Sequence, residues 1–159
     1  MHLTKSITAI GLGAIMIATT GFAASHSEKA AKAAVGARHA QMQLIAYHTG
    51  ILGGMAKGET DYDAEMARVA AANLHAAASL EPSSLWLEGT EQGAVEGSRA
   101  KAEIWSDMDG FTNALKTLQT ASAEMMDMAG TDLDALKAGM GGVGKACGAC
   151  HDDYRGPKN

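Results

Sequence analysis

Cys147-Gly-Ala-Cys150-His151 stands near the C-terminal end of the chain and contains its only two cysteines. C-x-x-C-H is the spacing at which haem becomes covalently attached. Thiols one helical turn apart can each bond a vinyl group of one porphyrin, and the adjacent imidazole is then held beneath the iron. A bare C-x-x-C would read as a redox dithiol or half a zinc site, and His151 turns the pattern towards a single covalent haem c with His151 as metal ligand. A haem-free dithiol or zinc-binding helical protein is the rival reading from another class.

The N-terminus supports the same chemistry independently. Met1 to Lys5 carries one Lys, Ile7 to Phe22 is apolar without a charge, and Gly21-Phe22-Ala23 offers a cleavage site. Residues 1–23 thus read as a secretory signal and residues 24–159 as one domain; an uncleaved anchor is the competing reading. No positively charged stop-transfer flank follows, so no membrane span is expected in the mature chain. Covalent haem attachment takes place outside the bacterial cytoplasm, so export to the periplasm and the haem motif agree. A formal charge of -5 makes nucleic acid a poor partner and favours basic patches on a redox partner protein.

The remainder is rich in Ala, Met and Leu, has few aromatics and contains only Pro82 and Pro157, a composition that predicts an all-helical domain. A first helix is expected from about Glu28 to Ala56, closed by Lys57-Gly58-Glu59. Thr60-Asp61-Tyr62-Asp63 starts a second that ends near Leu80. Pro, Ser and Gly mark 81–99 as a long connection. A third helix is expected from about Ala102 to Met128, and Thr131-Asp132-Leu133-Asp134 starts a fourth that carries the haem motif.

Apolar stripes on these helices predict a four-helix bundle. The third carries Ile104, Met108, Phe111, Leu115, Leu118, Ser122 and Met125; the fourth carries Leu133, Leu136, Met140, Val143, Cys147, Cys150 and Tyr154. Weaker stripes are Val35, Met42, Ile45, Thr49 and Leu52 on the first helix, and Met66, Val69, Asn73, Ala77 and Leu80 on the second. With both thiols on a buried stripe, the porphyrin is directed into the bundle interior.

The chain resembles the cytochrome c′ and cytochrome c-556 family, four-helix-bundle c-type cytochromes with haem attached near the C-terminus. The resemblance rests on Arg38-His39-Ala40-Gln41-Met42, Met55-Ala56-Lys57-Gly58-Glu59, Tyr62-Asp63-Ala64, Glu103-Ile104-Trp105 and the run from Cys147 to Arg155. It implies thioethers at Cys147 and Cys150, iron on His151, Arg38 reaching towards a haem propionate, and Arg155 near the proximal face. It also implies Met42 on the distal side of the iron, as a second metal ligand in a c-556-like electron carrier. The Gly50-Ile51-Leu52-Gly53-Gly54 stretch favours that branch. The alternative it leaves open is a five-coordinate cytochrome c′ that binds nitric oxide or carbon monoxide. A homodimer through the first two helices is implied as well, with Ala70, Ala71, Ala76 and Ala77 permitting close contact.

Other residues read more plainly. His39 shares part of Met42's face but reads as a partly exposed polar side chain, and His48 and His75 as facing solvent or another subunit. Trp86 and Trp105 read as packing residues rather than electron conduits. Asp61, Asp63 and Glu65 complement a helix dipole. No Ser-His-Asp set, phosphate loop or metal-binding His pair is present, so no enzymatic activity is expected.

Overall fold

The computed structural model describes residues 20–158, with side chains from 27 onward; the expected signal segment up to residue 19 lies outside the described residues. The helices are α1 (Thr20–Lys57), α2 (Ala64–Ala78), α3 (Glu103–Ser106), α4 (Met108–Ala129) and α5 (Leu133–Tyr154). α1 packs on α2 and α5, and α4 packs on the same two, so the four long helices close a ring of four seams. This is the expected bundle, with a one-turn helix added.

The helix ends follow the sequence signals. Gly58 at φ +75° takes the left-handed position that ends α1, and Glu59 N–H returns to Gly54 O at 2.9 Å. Asp63 caps α2 through Met66 N–H at 2.7 Å, and Asp132 caps α5 through Ala135 N–H at 2.8 Å.

Three expectations fail. On α2 the buried face is Ala67, Ala70, Ala71, Leu74, Ala77 and Ala78, so of the expected stripe only Ala77 is buried; Met66 and Val69 remain 54% and 49% exposed, Asn73 also faces outward, and Leu80 lies exposed beyond the helix end. A one-residue step rotates a helix by about 100°, so choosing the bulkier apolar stripe selected the wrong face. Alanine wins the interior because α2 lies against both α1 and α4, and small side chains let the backbones approach. Three of the alanines expected at a dimer contact, Ala70, Ala71 and Ala77, are therefore part of the chain's own core.

The third expected helix is also not continuous. Asp107, at φ -132° and ψ 58°, separates α3 from α4 and caps the latter by accepting from Gly110 N–H at 3.1 Å. The break shifts the phase of the stripe and turns Met108 outward, while Ile104 and Phe111 stay buried. His75 departs from expectation too. Its Nδ1 lies 3.0 Å from Ser122 Oγ, which itself donates to Gln119 O, so the imidazole donates inward to α4.

The core is divided. One cluster fills the middle of the bundle with Ile45, Leu52, Leu74, Met125, Leu136 and Val143. A second joins Ala100, Ile104 and Phe111 with Trp86, Trp105 and Tyr154. A domain of this size ordinarily has one contiguous core. Here Cys147 packs against the first cluster and Cys150 against the second.

Candidate functional site

A cavity of about 750 Å³ runs along the α1 side of α5 and is lined by Cys147, Cys150 and His151. Met42, Arg38 and Arg155 line it as well, so one space collects all six residues singled out from the sequence. Its volume is in the range that accepts a cofactor-sized molecule. Ile45, Ile104, Phe111 and Leu118 make much of the wall apolar.

The α5 residues owe their placement to helical spacing: three steps separate the cysteines, and His151 follows one residue further round. Both thiols are free and half-buried. Burial pushes both thiol pKa values up, with Cys150 raised further by the charges of Cys147 and Asp153. Burial also lowers the pKa of His151, and the Arg155 and Arg99 guanidiniums lower it further. The neutral imidazole is thereby favoured, and that is the form that ligates metal.

Arg38, on α1, is only 4% exposed. Its guanidinium donates to Thr90 Oγ1 and Thr90 O at 3.0 Å each and to Ser98 Oγ at 3.4 Å, and it lies 4.6 Å from the centre of the Trp86 ring. No carboxylate among the described residues pairs with it, and burial lowers its pKa. A buried cation without a counter-ion is costly, so this wall of the cavity suits an anionic group. Thr49 Oγ1 on the same wall is buried without a hydrogen-bond partner. An acid-bearing, mostly apolar macrocycle would supply both what the divided core lacks and what Arg38 lacks. The residues present fit haem.

The distal candidates separate by position. Met42 is half-buried and lines the cavity from α1, across from α5. Met140 also lines it but belongs to the helix of His151, eleven residues earlier and therefore about 16 Å along the axis. His39 is exposed at the cavity's edge, where its Cε1 approaches Gly97. His48 does not line the cavity. Among the described residues, no three His, Cys, Asp or Glu side chains gather as a metal cluster.

Sequence reasoning missed the crossover's part in the site. Arg99 lines the cavity and donates from Nε and Nη2 to Gly156 O at 3.0 and 2.7 Å. Gly156 N–H returns to Arg99 O at 2.7 Å, and Lys101 Nζ donates to the carbonyls of Asp152 and Asp153 at 2.7 and 3.0 Å. Residues 99–101 thus strap down the end of α5. Aperiodic segments carry no pattern that reveals such contacts.

Comparison with known proteins agrees with this geometry. The family model described as Cytochrome C' matches residues 33–155. A cytochrome c-554 from Cereibacter sphaeroides is 46% identical over 118 residues, covering 74% of this chain and 89% of that protein. A solved structure of cytochrome c' from Rhodobacter Spheriodes superposes with a TM-score of 0.78 at 39% identity, covering 80% of this chain and 98% of that one. A nitric oxide complex of a mutant cytochrome c prime from Alcaligenes xylosoxidans gives a TM-score of 0.71 at 34% identity, covering 80% of this chain and 97% of that one. A family match over most of the chain, relatives of this identity and superpositions of this quality agree: the chain belongs to the cytochrome c′ family, and its cofactor is haem c.

Proposed function

We propose that this chain is a periplasmic monohaem electron carrier, with thioethers at Cys147 and Cys150, His151 as proximal ligand and Met42 as distal ligand. The observation that carries the reading is the position of Met42, half-buried on the wall across from the helix of His151. Bound there, haem supplies one-electron chemistry. The protein's part would be to bury it and to hold it through His151 and Met42 in both redox states, which would keep reorganisation small. Arg38, already aimed by Thr90 and Ser98, meets a propionate with a charge-assisted contact. Arg155, exposed at the proximal rim, meets solvent-side charge. Residues 1–23 act as the export signal for the domain 24–159, and no enzymatic step is assigned.

A second reading is supported by the nitric oxide complex of the related protein. In it Met42 packs over an open iron position, and the task is binding nitric oxide or carbon monoxide. An absorption spectrum of the reduced protein separates the two: sharp low-spin bands without added ligand support Met42 ligation, and a high-spin spectrum that changes with carbon monoxide overturns it. A haem stain that survives denaturing electrophoresis tests the covalent attachment common to both.

We also infer that two copies associate through the outer faces of α1 and α2, where Leu44, Tyr47, Met66 and Val69 are exposed. A sedimentation profile shifted to monomer by Met66→Lys would support this; a monomeric wild-type protein would exclude it.

A further inference from the structure

We propose that the groove between the crossover and the α3–α4 junction is the docking site for a redox partner protein that presents a lysine- or arginine-rich patch. The proposal rests on the electron-carrier reading and names that carrier's partner surface. The groove, of about 430 Å³, is lined by Pro82, Trp86, Trp105, Met108 and, at its rim, Glu81 and Glu88.

Trp86 lines both this groove and the main cavity, so a single indole forms the wall between a surface recess and the cofactor space. It is held firmly. Phe111 meets its ring edge-on at 4.6 Å between centroids, Arg38 lies on it, and Trp105 Nε1 donates to its carbonyl at 3.1 Å. Electron tunnelling weakens exponentially with distance, so a partner seated over Trp86 stands where only one side chain's thickness separates it from the cavity.

Charge decides the partner's chemistry. Glu81 and Glu88 are exposed at the rim, and Glu103, Asp107 and Asp109 are exposed on the adjoining helices. Lys101, whose ammonium donates to the carbonyls at the end of α5, keeps its charge but offsets only one of these five carboxylates. Met108, turned outward by the break at Asp107, adds exposed apolar surface beside them. An apolar centre within a one-sign rim is the anatomy of a transient, electrostatically steered interface. The same acidic rim repels a second copy of this chain. Haem bound in the cavity would supply the one-electron chemistry, taking an electron from the partner's reduced metal with no bond formed or broken, and the groove's own part is to seat that partner beside Trp86.

The test uses haem-loaded protein and, as probe, a small cationic cytochrome c with a lysine-ringed haem edge, both reduced so that only binding is read. Titration should shift the Trp105 indole N–H resonance. Glu81→Gln with Glu88→Gln should weaken binding roughly 3- to 10-fold at low ionic strength and flatten its salt dependence. The control pair Asp61→Asn with Asp134→Asn, at the other end of the bundle, should leave binding unchanged. The proposal is overturned if the indole does not move, if the control pair weakens binding equally, or if groove resonances shift with the protein's own concentration. Loss of the haem spectrum would instead sink the carrier reading, which these binding outcomes leave untouched.

Discussion

Tyr154 donates its phenolic hydrogen to Asp107 Oδ2 at 2.9 Å, joining the last turn of α5 to the residue that divides α3 from α4. The other oxygen of the same carboxylate accepts from Gly110 N–H at 3.1 Å. One side chain therefore caps a helix and holds down the turn that carries Cys150 and His151. Phe111, edge-on to Tyr154 at 5.3 Å, packs the same latch from the core side.

Asp107→Ala should cost about 1–2 kcal/mol, the usual worth of an N-cap, plus the loss of Tyr154's partner. Tyr154→Phe should cost less, since it leaves the cap. A double-mutant cycle read from denaturant midpoints should give a coupling energy clearly different from zero. Strict additivity would show that the two groups do not act together.

Burial, the donated hydrogen bond and the charge of Asp107 together push the Tyr154 pKa above its ordinary value. A folded value raised above the unfolded one means that this contribution is whole below about pH 10 and is lost as pH climbs through the raised value. Stability of the wild type should fall in that alkaline window by more than that of Tyr154→Phe. Equal slopes for the two proteins would remove the latch from the account.

A methyl group at Gly110 would overlap Asp107 Oδ2 and crowd the Tyr154 hydroxyl. Glycine to alanine inside a helix ordinarily stabilises by about 1 kcal/mol. Here the sign should reverse, with Gly110→Ala less stable than wild type in chemical denaturation. A stabilised variant would mean that the carboxylate can move aside freely.

Arg38 holds Thr90 Oγ1, Thr90 O and Ser98 Oγ through a planar fork that an ammonium cannot reproduce. Arg38→Lys in the haem-loaded protein should therefore lose about 1 kcal/mol, and Arg38→Met about 2–3 kcal/mol, by the worth of charged hydrogen bonds. Both are read as shifts in denaturant midpoint at constant slope. Wild-type stability in Arg38→Lys would reduce the residue to a simple charge.

Met42→Ala tests ligation directly. The reduced variant should become high-spin and acquire carbon monoxide affinity that the wild type lacks, both visible in absorption spectra. An unchanged spectrum would falsify Met42 as the distal ligand.

Much of the bundle was legible because its signals are local. Asp63 and Asp132 cap where short polar residues precede apolar runs, and Gly58 ends α1 where only a left-handed residue fits. On α5 the stripe was read only in part: Leu136 and Val143 are buried, but so are Gly139 and Ala146 outside it, while Met140, Cys147, Cys150 and Tyr154 are half-buried at the cavity. On α2 burial goes mostly to alanine, and only the two neighbouring helices decide that. The break at Asp107 was illegible for a related reason, since the partner that fixes this carboxylate, Tyr154, lies 47 residues away.

The sequence alone determined the haem chemistry, because C-x-x-C-H on a helix sets the spacing of two thiols and an imidazole whatever surrounds them. It also determined the number of long helices, through caps and periodicity. The tertiary structure alone decided how the core is divided, which guanidinium is buried against the cavity, and how the crossover straps the end of α5. Those features depend on contacts between segments far apart in the chain, and no local pattern of residue types records which distant groups will meet.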